Sequence, residues 1–272
     1  MRVFMIKDET LPPTRVLGYL IYYEMPKAFY IELPDDANPW ETPLLLESFI
    51  KRGGHSIGSY WSRIWVEQRI TPQDRQNIGQ ILKENGLAEY DEFSLLMLSH
   101  GRCAQDQCYL EELAIEDLPA ELIERWDYKV EDVVPLDSAR LLVFFQNGEV
   151  KAIDMHDLLG KFPACQPYVN SENRFNQVEV QPGGYGIMWS EQAEIPDHDL
   201  YEQGLSVPLS LQDFCRFVQV RIVSATEACK ILNCSRQNID DLIKRGKLHP
   251  IRNDIKYKLF LRNEVSQRKR GR

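Results

Sequence analysis

Long apolar runs are missing from this sequence. None approaches the roughly 20 residues that a membrane-spanning helix needs, so no membrane partner is expected. The opening MRVFMIKDETLPP has neither an apolar h-region nor a small-residue cleavage site, so no signal peptide is expected there. Cysteine is sparse. Cys103, Cys108, Cys165, Cys215, Cys229 and Cys234 are scattered, which fits reduced thiols in a cytoplasm better than a disulfide framework. A Gly-rich phosphate loop, a nucleophile elbow and a paired metal motif are also absent. The expectation is a cytoplasmic protein that is not an enzyme, with no catalytic residue, no metal and no cofactor.

Three clusters look chemical and are read as structural. His100, Cys103 and Cys108, with Asp106 between them, make only half of a zinc set, since a structural site wants four ligands. A Cys–His nucleophile pair there would lack an orienting third group. Asp197-His198-Asp199 follows Pro196 and reads as a helix start or turn, structural or solvated, because an acid–base pair needs a pocket and a substrate pose. Asp154, beside His156, reads as the cap of the helix that follows.

What is present in quantity is charge, unevenly spread. The chain carries a net −9 over 272 residues, with 43% hydrophobic and 27% charged residues, an ordinary globular composition. From Ser224 onward there are thirteen Lys/Arg and five Asp/Glu, a net +8, so the first 223 residues carry −17. A basic module on an acidic body is the electrostatic footprint of phosphate binding. Within the acidic body, Arg52, His55, Arg63, Arg69 and Arg75 form a local concentration of cations. They read as salt bridging to neighbours, with an anionic ligand or DNA as the alternative.

The periodicity predicts an α+β multidomain chain: an N-terminal β-hairpin plus helices, a small α+β middle domain, and a C-terminal winged helix-turn-helix. The expected boundaries are 1–128, 138–205, a connecting helix over 206–222, and 223–272. Val16 to Tyr22 and Phe29 to Ile31 are β-formers around a Met25-Pro26-Lys27 turn. Helices are expected over Leu44 to Ile50, over Tyr60 to Arg69, and from a Thr71-Pro72 start through Leu82. Asp91 to Leu98 reads as a short helix or a buried strand. Leu118 to Trp126 reads as a short helix, and Asp127 to Asp137 as a linker. Asn147-Gly148 between β runs is a strong hairpin signal. Phe175 to Val180 reads as a strand paired with Gly186 to Trp189.

From Ala139 to Leu205 the middle segment carries Leu142, Phe144, Asn147-Gly148, Val150, Asp154, Leu158-Leu159, Phe162, Phe175, Val178, Gly186, Ile187, Trp189 and Leu200-Tyr201. On these residues it resembles the domain-of-unknown-function family DUF2442. These are core and turn positions, so the resemblance implies a fold and a regulatory or partner-binding module rather than a chemistry.

The C-terminal stretch carries the most specific pattern. Ser224 and Glu227 make a capping box, and Ala228, Ile231 and Leu232 share one helical face. Asn233 breaks that helix and Ser235 caps a second one, whose stripe is Ile239, Leu242 and Ile243. Gly246 sits where a C′ glycine belongs. Leu248 to Arg252 and Lys256 to Leu261 read as two strands of a wing around Asn253-Asp254, and Arg262 to Gln267 as the start of a third helix. With Gly246-Lys247-Leu248, Pro250, Phe260 and Val265, this segment resembles the winged helix-turn-helix domains of the excisionase and MerR type.

The resemblance implies that the second helix enters the major groove of double-stranded DNA. That places Ser235, Arg236, Gln237 and Asn238 at its leading end, where Arg suits guanine and Gln/Asn suit adenine. Lys244, Arg245 and Lys247 close the helix. Arg252, Lys256, Lys258 and the tail Arg268, Lys269 and Arg270 are expected at phosphates. Asp240 and Asp241 count against this reading, and a helical hairpin that only packs is the alternative. The acidic body is expected to bind a protein partner, a ligand or a second copy of the chain. An antitoxin-like interaction protein and an excisionase-like mobile-element factor are the competing functional readings.

Overall fold

The computed structural model describes residues 1–252, 258–261 and 265. The chain is a mixed α+β protein. It divides into two compact units, one of residues 1–147 and 151–206, the other of residues 148–150 and 207–272.

The first unit begins with an antiparallel five-stranded sheet. Its strands are β1 (Arg2–Asp8), β2 (Gly18–Tyr23), β3 (Ala28–Glu32), β4 (Ser56–Ile57) and β5 (Cys108–Leu113), in the order β4-β3-β2-β1-β5. Alternate side chains of a strand face opposite ways, and here both faces are covered. Phe4, Ile6, Leu20, Tyr22, Phe29 and Ile31 pack under α1 (Leu44–Ile50), α2 (Ser59–Glu67), α3 (Ile78–Glu84) and α4 (Glu92–Ser99), where Leu46, Trp65, Val66, Leu95 and Leu96 are buried. Val3, Tyr19, Ile21 and Tyr30 pack on the other side against Leu118 and against Leu122 of α5 (Ala120–Trp126). The expected hairpin is thus the centre of a larger sheet, because two faces need covering and β1 and β5 extend it. Thr71-Pro72 does not open a helix: α3 begins at Ile78, and the Thr71 carbonyl instead accepts from the Tyr90 hydroxyl at 2.9 Å.

The same unit continues through a second core. The expected linker is largely a strand, β6 (Val130–Leu136), paired antiparallel with β7 (Arg140–Phe145) through a turn with left-handed Ser138 and Ala139. Its charges, Glu131 and Asp132, are exposed, while Val130 is buried with Leu141, Val143 and Phe145. β8 (Val150–Asp154) follows β7, then come α6 (Met155–Leu158), α7 (Gln166–Val169) and α8 (Glu172–Phe175). Phe175 ends a helix; the strand expected there shrinks to β9 (Glu179–Val180), beside β10 (Gly186–Ser190) and β11 (Ala193–Pro196). α9 (Asp197–Gln203) and β12 (Leu205–Val207) close the segment, giving sheets ordered β12-β8-β7-β6 and β11-β10-β9. Tyr185 stacks on Tyr30 with centroids 4.0 Å apart, so the two cores meet ring on ring.

The second unit contains α10 (Leu211–Arg221), β13 (Ile222–Ser224), α11 (Ala225–Leu232), α12 (Arg236–Lys244) and β14 (Leu259–Leu261). A Ser210–Asp213 capping box starts α10. Among the described residues no helix is long and apolar enough to cross a membrane.

Candidate nucleic-acid interface

Local chemistry sets the α11–α12 pair. The Ser224 hydroxyl accepts from the Glu227 amide at 3.3 Å, and the Glu227 carboxylate accepts from the Ser224 amide at 2.9 Å, so two orphan amides are satisfied at once. Asn233 takes the left-handed conformation (φ 51°), and the Cys234 amide reaches back to the Cys229 carbonyl at 3.0 Å. Ser235 then caps α12 by accepting from Asn238 at 3.3 Å. Ala228, Leu232, Ile239 and Leu242 bury their side chains with Val223, Leu248, Phe260 and Val265. Gly246 (φ 63°) turns the chain after α12, and the Lys247 amide returns to the Leu242 carbonyl at 2.8 Å.

The strand expected over Leu248 to Arg252 is not a full one. It contributes a single bridge, Arg252 to Leu259, with the Ile251 amide donating to the Leu259 carbonyl at 2.8 Å. β14 pairs instead with β13, in the register Ile222↔Leu261, Val223↔Phe260 and Ser224↔Leu259. Val223 and Phe260, opposite each other in this pair, are both buried. Asn253-Asp254, Lys256, Arg268, Lys269 and Arg270 lie outside the described residues, as does the expected third helix apart from buried Val265.

Ser235, Arg236 and Gln237 are exposed at the start of α12, and Asn238 is half-buried. Lys244, Arg245, Lys247 and Arg252 are exposed at and beyond its end. Two relationships were not legible beforehand. Arg236 Nη2 donates to Thr226 Oγ1 at 2.8 Å, tying the first turns of α11 and α12 together. Lys258 Nζ lies 2.6 Å from Asp240 Oδ1, and this hydrogen bond holds the Asp240 carboxyl below its ordinary range. At 100° per residue, Gln237, Asp240, Asp241 and Lys244 share the outward face of α12. That face is therefore of mixed sign, with the Asp240 charge matched by Lys258.

The clusters in the first unit resolve into structure. Asp106 accepts from the Cys108 amide at 3.0 Å and pairs with Arg69. Burial pushes the Cys108 thiol up to about 12. Arg63 pairs with Glu92 at 2.6 Å. Asp154 caps α6 by accepting from the His156 amide at 3.0 Å. Asp197 and Asp199 start α9, yet they are buried rather than solvated, which corrects the solvated-turn alternative: Lys129 and Lys161 reach them from distant segments. Among the described residues, no group of three His, Cys, Asp or Glu side chains is placed to hold a metal, and none of the six cysteines is in a disulfide.

No curated protein and no solved structure matches the chain. Residues 130–206, from the start of β6 into β12, match the family model described as protein of unknown function DUF2442, and to that extent the middle segment is similar to that family.

Proposed function

We propose that this chain is a sequence-specific DNA-binding regulator whose C-terminal module is a winged helix-turn-helix. The observation that carries the reading is the α11–α12 pair. Two capped helices joined by the short Asn233–Ser235 turn, on a shared apolar core, present Arg236 and Gln237 outward from the start of the second helix. The net +8 from Ser224 onward supplies phosphate attraction that the acidic remainder opposes. One such module covers one half-site, so the working form is a dimer or binds repeated sites. The acidic body binds a partner or ligand, and the reduced cysteines fit a cytoplasmic setting.

The test is fluorescence anisotropy on pooled genomic fragments at two salt concentrations, native chain against Arg236→Ala/Gln237→Ala. The expected result is binding that prefers particular fragments, weakens steeply with salt, and loses its preference in the double variant. Absence of binding at low salt overturns the reading.

A second reading rests on the −17 carried by the first 223 residues. An acidic body of this kind suits a basic protein partner, as in an antitoxin-like factor that also represses its own operon. Co-purification of a small basic protein would favour it.

A further inference from the structure

In the first unit, a cavity of about 450 Å³ lies between the β2–β3 turn, α2 and the β9–β10–β11 sheet. That volume falls in the range of roughly 300–1,000 Å³ typical of small-molecule sites. Tyr60, Ile64, Pro182 and Met188 give it apolar walls. Its charged lining is Lys27, Arg63, Glu67, Glu191 and Glu194, two cations against three carboxylates, a net −1.

Both cations are already engaged. Lys27 Nζ lies 2.9 Å from Asp91 Oδ1, and Arg63 pairs with Glu92 at 2.6 Å and with Glu67 at 3.4 Å. Glu194 differs. It is half-buried, and among the described residues no cation pairs with it. Its one hydrogen bond there runs from Gln181 Nε2, on a buried side chain of the same lining, to Oε2. Oε1 lies against the head of α2, 3.3 Å from where a Cβ on Gly58 would stand, and the next two residues, Ser59 and Tyr60, line the cavity. A helix end offers only a partial positive charge. Burial lifts the Glu194 carboxyl above its ordinary range, against the opposing Gln181 bond. A carboxylate drawn out of water without a counter-charge is costly, so the lining lacks a cation. One carboxylate is too few ligands for a metal ion, and among the described residues no three His, Cys, Asp or Glu side chains gather to hold one. The apolar walls suit an organic cation instead.

We propose that this cavity binds a small organic ammonium with an apolar body. The Glu194 carboxylate accepts from the ammonium, and Tyr60, Ile64 and Met188 pack on the apolar part. The −17 carried by the first 223 residues draws cations toward the site. The site stands or falls separately from DNA contact, because its test involves no DNA.

The test is calorimetric titration of the full chain with tryptamine and with hexylamine, each against the uncharged alcohol of the same body, tryptophol and 1-hexanol. At least one amine is expected to saturate and to bind about tenfold more tightly than its alcohol. Glu194→Gln keeps the shape, removes the charge, and is expected to erase that preference. Glu191→Gln, at an exposed position of the lining, is expected to keep most of it. Tyr60→Ala is expected to weaken amine and alcohol alike. Indole-3-propionate carries the opposite charge on the tryptamine body. If it binds more tightly than tryptamine, then Lys27 and Arg63 govern the lining and the proposal is overturned. The same holds if neither amine saturates, if each alcohol binds as tightly as its amine, or if E194Q binds the amine with native affinity.

Discussion

Lys129 Nζ lies 2.9 Å from Asp197 Oδ2, and both residues are buried. The same ammonium is 3.3 Å from Glu32 Oε1 and 3.7 Å from the Tyr185 ring centroid. One cation thus joins the end of β3 to the start of α9, linking the N-terminal sheet to the segment similar to DUF2442. Lys129→Met would leave two buried carboxylates short of their shared counter-charge, with Arg125 still 3.2 Å from Glu32 and His198 still beside Asp197. Removing one partner of a buried pair costs about 3–5 kcal/mol. Urea unfolding of the variant should show that loss, and a shift under about 1 kcal/mol would mean the pair is no stronger than a surface bridge.

The start of α9 gives the first unit a pH signature. His198 Nε2 is 3.1 Å from Asp199 Oδ2, and Nδ1 is 3.9 Å from Asp197 Oδ1. The carboxylates of Asp197 and Asp199 beside the ring raise the His198 pKa from 6.5 to about 9. Burial acts to raise both carboxyls, but His198, with Lys129 at Asp197 and Lys161 at Asp199, holds them below the ordinary 3.8. The histidine contribution is complete below pH 6.5 and is lost as pH rises through about 9. The carboxylate contribution is present above 3.8 and is lost on acidification. The urea midpoint should therefore fall between pH 6.5 and 9, and fall less in His198→Ala. The imidazole is half exposed, so added salt should shrink the difference. Equal slopes in the two proteins would show that His198 carries no such coupling.

Local signals were legible, and long-range ones were not. Ser224, Glu227, Ser235 and Gly246 announce caps and stops because each satisfies backbone groups within a few residues. The expectation failed where the partner is distant. Val130–Leu136 contains Glu131, Asp132 and Pro135 and looks like a linker alone, but β7 makes it a strand. Phe175 has strand propensity, yet it ends α8 inside the core. Lys129 sat in that apparent linker and Asp197 at an apparent helix start or turn, and nothing in either neighbourhood announces their pairing. At the candidate interface the leading residues of α12 were legible, but the ties of Arg236 to Thr226 and of Lys258 to Asp240 depend on packing.

Two glycines should respond differently to the same change. Gly246 (φ 63°) has nothing within 4 Å of a built Cβ, so Gly246→Ala meets only backbone strain, roughly 1–2 kcal/mol. Gly186 (φ 152°) would bring a Cβ to 2.2 Å from the Ile195 carbonyl oxygen, across the β10–β11 pair. Gly186→Ala must push backbone apart and should cost about 2–4 kcal/mol. Calorimetric melting of both variants checks the order, and a Gly186→Ala loss no larger than that of Gly246→Ala would show that the sheet yields easily.

The Lys258–Asp240 pair makes a prediction about DNA that differs from simple charge counting. Lys258 is a candidate phosphate contact, yet Asp240 engages it at 2.6 Å on the outward side of α12. Removing the lysine deletes a cation and also frees a carboxylate that repels phosphate. Lys258→Ala should therefore weaken DNA binding by more than about tenfold at low salt, beyond the loss expected for one exposed cation. Asp240→Asn should do the opposite, releasing Lys258 and tightening binding with a steeper salt dependence. The double variant should bind more tightly than Lys258→Ala alone, because the freed carboxylate is then absent. Anisotropy titrations of the three variants across a salt series read these outcomes. If Asp240→Asn leaves both affinity and salt slope unchanged, then neither residue faces the phosphates, and the outward face of α12 is not the surface that meets DNA.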